Sequence, residues 1–462
     1  MSDSRDDTAI VWFRRDLRVH DQPIFTAAAA RARRSLAVFV LDERLLGPAG
    51  KARRTFLFRS LRDLDESLGG RLLVVRGDPV EAIPKLAGAV RAGSVHVAAD
   101  FGPYGRERDE AVEKALGERD VDLVRTGSPY AVDPGKITKS DGEPYKVYTP
   151  FSREWAQRDK GAPADTDAST VEWMQPSEKN GGPRAVRIPA DEPPEAELPE
   201  AGERAAHEHW EAFVDEHLAD YDDLRDRPDK PATSRMSVYL KYGVIHPRQL
   251  LAGVGGSGKG VKGPESFRNE LCFRDFYAAV LWFYPRSARE NFDPKFDRMP
   301  YDSGPGAEER FRAWQEGRTG FPAIDAAMRQ LRGQAWMHNR MRMAVASFLV
   351  KDLHLPWWRG ARHFLQLLVD GDLPSNQHGW QWAAGTGTDA APYFRVFNPV
   401  TQGERFDPQG EYVRRWVPEL AGIEGKKVHQ PWKLAEPPGD YPAPIVDHKA
   451  ERQEALDRFN RL

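Results

Sequence analysis

Six tryptophans fall between residues 314 and 382 (Trp314, Trp336, Trp357, Trp358, Trp380 and Trp382), and the run closes on GWQWAAGTGTDAAPYFRVFNP at 379–399. Indoles are redox-active. A string of them beside an amide-rich turn, SNQHG at 375–379, is what electron transfer next to a bound aromatic cofactor would need. On composition alone the packing of a large helical core is the favoured reading of the same residues, since buried aromatics supply much of a core's contact area. The electron-transfer reading stays open beside it.

Other segments offer chemistry at helical spacing. In WMHNRMRM (336–343), an i, i+3, i+4, i+7 pattern puts Trp336, Asn339, Arg340 and Met343 on one face. An amide and a cation together are unusual on a face that serves only packing. In RNELCFRDFY (268–277), Glu270 and Arg274 form an i,i+4 pair flanked by Phe273 and Tyr277, which also describes a solvated salt bridge with packed rings. Asp370 and Asp372 precede a proline and the polar turn, as in a helix-terminating loop. In ATSRMSVYLKYG (232–243), Thr233 and Ser234 read as a helix N-cap, and free N–H groups beside hydroxyls suit a phosphate. GVGGSGKG (253–260) imitates a phosphate loop. Gly260 stands where Ser or Thr is needed, however, and the preceding GVIHPRQLLA reads as helix, so a surface loop is expected.

The elements that must position these residues divide the chain. Short apolar runs at 9–13, 36–41, 72–75, 94–98 and 121–124 alternate with amphipathic stretches such as 54–68 and 106–116, the pattern of a doubly wound parallel sheet over 8–128. No GxGxxG follows the first strand, which runs instead into RRDLRVHD (14–21), so the usual dinucleotide site is absent. A Pro-, Asp-, Glu- and Gly-rich connector follows over 129–205, and helical periodicity dominates 206–462. Net charge is −3, yet 332–362 holds five Arg and one Lys against Asp352 alone, a patch that could meet phosphates or solvent. One cysteine, Cys272, excludes an internal disulfide and a Cys-rich metal or iron–sulfur centre. Cytoplasmic placement is expected from that cysteine count, a polar N-terminus and the lack of a ~20-residue apolar run.

Taken together, WFRRDLRVHD, WQEGRTGFPAIDAAMRQL, WMHNRMRM, SFLVKDL and GWQWAAGTGTDAAPYFRVFNPVTQGERFD resemble the photolyase/cryptochrome family, and within it the class I cyclobutane pyrimidine dimer photolyases. The resemblance runs from residue 12 to the end. It implies an α/β antenna domain, a connector and a helical FAD-binding domain. The activity it implies is light-driven splitting of pyrimidine dimers in DNA by an electron from photoexcited FADH⁻, in a monomer that uses no metal.

The resemblance also implies roles. Tyr221 and Thr233, Ser234, Arg235, Met236 and Ser237 match the FAD phosphate and ribityl contacts. Asp370, Gly371 and Asp372 match the adenine–ribose side of a U-shaped flavin, with Arg342 paired to Asp370 beneath the ring. Asn376 stands where an amide faces flavin N5. Glu270, Asn339, Met343 and Trp382 match the dimer pocket. Gln402, Arg274, Arg340 and Arg395 are DNA-contact candidates, with Phe273 and Tyr277 beside them. Trp380 and Trp357 match the proximal and middle members of an electron-hopping chain. Asn339 and Met343 occupy positions where (6-4) photolyases carry histidines.

Two departures stand out. Phe273 replaces a tryptophan that stacks on the dimer. The distal hopping position falls in 298–314, where Tyr301 is the nearest aromatic and Trp358 and Trp314 offer side routes. For the antenna, Gly105 stands where folate-binding members carry Glu, while Arg53 and the stretch around Tyr104 resemble deazaflavin-binding members. A deazaflavin is therefore favoured over folate, another flavin or none. A cryptochrome photoreceptor is the alternative function, opposed by Asn376 and the complete dimer pocket. A dark flavin oxidoreductase lacks a nicotinamide site.

Overall fold

The computed structural model describes residues 6–176, 182–192, 195–255 and 262–462. Five parallel strands, β1 (Asp6–Phe13), β2 (Ala32–Leu41), β3 (Leu72–Arg76), β4 (Ser94–Val97) and β5 (Asp122–Arg125), form one sheet in the order β3-β2-β1-β4-β5. The order reverses at β1, which pairs with β2 from Asp6↔Ala32 to Phe13↔Phe39 and with β4 from Ala9↔Ser94 to Val11↔His96. Helices α1 (Pro23–Arg31), α2 (Glu43–Leu46), α3 (Lys51–Ser67), α4 (Pro79–Val90) and α5 (Pro103–Gly117) make the crossovers. Ile10, Val11, Val38 and Val75 are wholly buried, as a sheet covered on both faces requires. The doubly wound sheet read from the strand pattern is the one observed.

The connector carries α6 (Tyr148–Gln157), and the helical region begins with α7 (Glu203–Glu216), α8 (Tyr221–Leu224), α9 (Ser237–Tyr242) and α10 (Pro247–Val254). Helix α10 bears out the helical reading before the Gly-rich loop; residues 256–261 of that loop lie outside the described residues. Helices α11 (Lys262–Phe283), α12 (Pro305–Glu316), α13 (Pro322–Gln334), α14 (Asn339–Ser347), α15 (Trp357–Leu367), α16 (Leu373–Ala384), α17 (Pro399–Phe406), α18 (Glu411–Trp416) and α19 (His448–Asn460) complete it, with a π-helical turn over Phe348–Asp352. Among the described residues no helix is long and apolar enough to cross a membrane.

RRDLRVHD acquires a role here. Leu17 N donates to Tyr242 O (3.2 Å), Arg18 Nη1 to Gly243 O (3.1 Å) and Arg15 Nη2 to Asp372 (2.7 Å). Gly243 has φ +66°, and a Cβ there would lie 1.9 Å from Arg15 O, so glycine is required for this approach. The segment after β1 therefore fastens the sheet domain to the helical one. One apolar core runs through the join, from Phe13 and Phe56 to Trp210 and Tyr239.

Candidate functional site

Helix α16 packs against both α11 and α14, so the residues expected at a lesion pocket sit on three adjoining helices. Two neighbouring residues just after α8 tie the outer helices together. Arg225 Nη2 donates to Glu270 Oε1 on α11 (2.5 Å), and Asp226 accepts from Arg340 Nε on α14 (3.1 Å). Glu270 and the start of α14 are thereby held at one rim. Arg225 and Asp226 were not singled out in the sequence, because nothing local marks a pair that bridges 45 and 114 residues. Among the described residues the hydrogen bond to Glu270 falls on Oε1, which leaves Oε2 to meet a ligand. Burial raises the Glu270 pKa, and Arg225 opposes the rise. Asn339 is exposed at this rim; Met343 and Trp382 are half-buried.

Several local expectations are corrected. Glu270 does not pair with Arg274. The Arg274 guanidinium lies 4.7 Å from the Tyr130 ring and donates to Pro129 O (2.7 Å), with its side chain 12% exposed. It is spent on the connector, not presented to a phosphate. Trp336 is not on the α14 face, because α13 ends at Ala335 in the left-handed region (φ 49°) and His338 caps α14 at Asn339. Thr233 and Ser234 do not cap α9. Arg235 turns left-handed (φ 49°), and the helix starts at Ser237 behind Met236. The 332–362 cations do not form one face: Arg342 points inward, Arg359 pairs with Glu308, and Lys351 is buried. Arg395 is exposed, and Gln402 keeps a buried Oε1 without a partner.

Of the side chains expected to hold FAD, Asp370, Asn376 and Tyr221 are placed as that group requires. Asp370, its side chain 1% exposed, accepts from Arg342 Nη2 (2.8 Å) and Ser237 Oγ (2.7 Å) through Oδ2. Its Oδ1 is buried without a partner among the described residues, which is costly unless a ligand hydroxyl or N–H supplies a donor. Asn376 spends its Nδ2 on Ala361 O (3.1 Å) and Gln377 Oε1 (2.9 Å), leaving its oxygen to accept. Tyr221 is buried against Phe213 and Phe267. Asp372 does not join Asp370. It turns to Arg15; burial opposes its ionisation, but Arg15, Lys241 and Arg274 overcome that and hold the carboxyl down to about 2. Gly371 packs against the Arg53 stem, 3.5 Å from a notional Cβ. These two residues belong to the domain join.

A cavity of about 270 Å³ lies at that join, lined by Arg53, Tyr104, Trp12, Lys241 and Asp372 among others. Arg53 donates to Leu365 O, and the Tyr104 hydroxyl bonds Asp42. Burial and the Asp42 contact push that phenol up to about 12. A Cβ on Gly105 would fall 2.2 Å from the Asp100 carboxyl carbon, and Asp100 pairs with Arg108 (3.1 Å). A glutamate at 105 would displace that pair.

Four of the six indoles form two pairs. Trp380 has Trp314 (centroids 6.0 Å) and Phe364 (4.9 Å) as ring neighbours. A Cβ on Gly360 would lie 2.1 Å from the Trp380 ring, so glycine admits the indole there. Trp357 meets Trp358 (6.0 Å), which meets Tyr301 (5.4 Å). The Tyr301 hydroxyl is buried without a partner, and burial raises its pKa.

Comparison with known proteins identifies the family to which the chain belongs. Residues 9–170 match the DNA photolyase family and residues 267–461 the FAD binding domain of DNA photolyase. The deoxyribodipyrimidine photo-lyase of Streptomyces griseus is 38% identical, over 98% of each chain. The crystal structure of a bacterial class III photolyase from Agrobacterium tumefaciens superimposes with a TM-score of 0.92 at 34% identity, covering 100% of this chain and 98% of that one. An archaeal photolyase from Sulfolobus tokodaii, solved with two FAD molecules, gives a TM-score of 0.86 at 27% identity, over 98% and 100%. The chain belongs to the DNA photolyase family, the FAD-carrying enzymes of light-driven DNA repair.

Proposed function

We propose that this protein repairs cyclobutane pyrimidine dimers in DNA, acting as a monomer on a lesion turned out of the duplex. The observation that carries the reading is the rim made by Arg225 and Asp226, which sets Glu270 and Asn339 on either side of the helix bearing Asn376. Reduced FAD, when bound, supplies the photoexcitable electron donor. The chain's own residues do the rest. Arg342 and Ser237 hold Asp370, whose free oxygen accepts from the cofactor, and the Asn376 oxygen accepts a flavin N–H. Glu270 Oε2 and the Asn339 amide bond the pyrimidine edges. Met343, Trp382 and Phe273 wall off water, while Arg340, Arg395 and Gln402 face the DNA strand.

The choice of lesion follows from which groups can move a proton. Ring opening of a cyclobutane dimer needs no cycling acid, whereas chemistry on a hydroxyl-bearing lesion does. His338 lies next to Asn339, but its Nδ1 accepts from Arg340 N (3.2 Å), and burial holds its pKa down to about 4. Burial likewise holds His378, two residues from Asn376, to about 3. Both are neutral at physiological pH. The cavity at the domain join suits a second, light-harvesting chromophore, and the Gly105–Asp100 contact favours a deazaflavin over folate.

The electron that would reduce an oxidised flavin is proposed to come from Trp380, refilled in turn from Trp314, with Trp358 and Trp357 as a second branch. Tyr301 is a poor terminal donor, because phenol oxidation sheds a proton and its hydroxyl has no acceptor among the described residues. Blue-light repair of dimer-containing DNA by reduced protein tests the reading. Repair of dimers and not of (6-4) products is expected. FAD-loaded protein with no light-dependent repair would point to a photoreceptor instead.

A further inference from the structure

Tyr148, on the connector, lies face to face with Phe273 on α11. Their centroids are 3.5 Å apart and their planes within 5°. Two such rings left to themselves settle offset or edge-on, because their π faces repel. Something must therefore hold this pair in register, and the tethers are visible. Tyr148 N donates to Asp389 Oδ2 (3.0 Å), and its hydroxyl donates to Asn269 O (3.2 Å), one turn before Phe273. Phe276 meets the tyrosine ring edge-on at 5.8 Å. Thr388 Oγ1 donates to Lys146 O (2.6 Å). The connector at 146–148 is thus sewn to the loop that follows α16 and carries Arg395. That loop is itself anchored where Lys351 Nζ donates to Arg395 O (3.1 Å).

Both rings are half-exposed, and Phe273 lies three residues from Glu270 and 6.2 Å from Tyr277. A lone, half-exposed phenylalanine has rotamer freedom that must be given up when a base stacks on it. Backed by a parallel ring with two hydrogen-bonded tethers, it has already lost that freedom. The backing also doubles the aromatic thickness behind the stacking surface. We propose that Tyr148 is a positioning residue for lesion recognition: it fixes the ring plane of Phe273, so that the two-ring slab does the stacking for which a single phenyl is small. The inference rests on the dimer-pocket reading above. It concerns the flipped-out pyrimidine, which meets this face, and not undamaged duplex, whose bases stay stacked.

The test compares dissociation constants of the full-length, FAD-loaded protein for a dimer-containing and an undamaged oligonucleotide. Flavin content and thermal midpoint are followed alongside. Tyr148→Ala lowers the damaged-over-undamaged preference about ten-fold, the low end of the range for one base–aromatic stack, with affinity for undamaged DNA unchanged. Tyr148→Phe keeps the parallel ring and the backbone tether, and stays within about three-fold of wild type. Phe273→Trp in the Tyr148→Ala background recovers most of the preference, because the larger indole needs less backing; a merely structural role would not respond to it. If Tyr148→Ala weakens binding to both DNAs equally, or leaves the preference unmoved while wild type discriminates, Tyr148 has no such role. If wild type itself shows no preference, the lesion-pocket reading fails and this inference falls with it.

Discussion

Asp370→Asn separates a structural ion pair from a cofactor ligand. The carboxylate is 1% exposed and holds Arg342 at 2.8 Å and Ser237 at 2.7 Å, with its second oxygen buried and unsatisfied. Removing one partner of a fully buried pair costs about 3–5 kcal/mol. Arg342 is 27% exposed and keeps its bond to Met337 O (2.8 Å), so the cost falls to the bottom of that range or just below it, about 2–3 kcal/mol in the cofactor-free protein. The unsatisfied oxygen adds a second, separable loss. If it accepts from FAD, the amide forfeits one charge-assisted bond, about 1.5–3 kcal/mol, or roughly ten- to a hundred-fold in FAD affinity. Thermal unfolding of apo protein reads the first loss, and flavin titration with the shift in midpoint on reconstitution reads the second. A double-mutant cycle with Arg342→Gln should show coupling of at least about 1 kcal/mol. Equal loss with and without FAD would confine Asp370 to the ion pair. No loss in either would refute the reasoning altogether.

Glu270→Gln keeps an acceptor for Arg225 but removes the charge, so the fold should hold while affinity for dimer-containing DNA falls about ten-fold; unchanged binding and repair would remove Glu270 from the pocket. Trp380→Phe should abolish photoreduction of oxidised FAD yet leave repair by chemically reduced protein intact. Trp314→Phe should lower the photoreduction yield more than Tyr301→Phe, and a tyrosyl signal in transient absorption would reverse that ranking. Lys351 supplies a pH test. Burial holds its ammonium down to about 7, with Asp352 opposing and Arg395 assisting, against about 10.4 when unfolded. The unfolded chain therefore binds more protons between these values. The penalty is full below pH 7, and stability rises with pH from 7 towards 10 by up to roughly 4 kcal/mol. Urea unfolding across that range should show the slope, and Lys351→Met should flatten it and raise stability at pH 7.

The sheet was legible because its signal is local. Runs such as LAVFVL can be buried on both faces only in a covered parallel sheet, and each strand lies within a few residues of its apolar run. Helix starts were less legible where a residue adopts a conformation its type does not announce. Ala335 and Arg235 both turn left-handed, and each moves a helix start by three residues or more from where Trp336 or Thr233 suggested. Neither is a glycine, so no composition signal warned of the break.

The site was legible in its residue types and misleading in its pairings, for one physical reason. An i,i+4 spacing states only that two charges can reach each other, while a buried guanidinium takes whichever arrangement leaves the fewest groups unsatisfied. Arg274 finds the Pro129 carbonyl and the Tyr130 face on the connector, and Arg225 takes its place at Glu270 from 45 residues away. Asp370 and Asp372, two residues apart and alike in type, are divided in the same way: one meets Arg342 inside the helical domain, the other Arg15 from the sheet domain. Asp372 also lines the cavity at the domain join, and Asn376 follows four residues later on the same helix. One short helix start thus connects the lining of that cavity to the residue expected at the flavin. If a chromophore proposed for that cavity passes its excitation to the flavin, the effect can be tested at Asp372. Asp372→Asn removes the carboxylate that binds Arg15, so it should loosen the domain join and lower any antenna-sensitised rate while leaving repair under direct flavin excitation unchanged. Equal loss at both wavelengths would show that Asp372 serves the flavin itself.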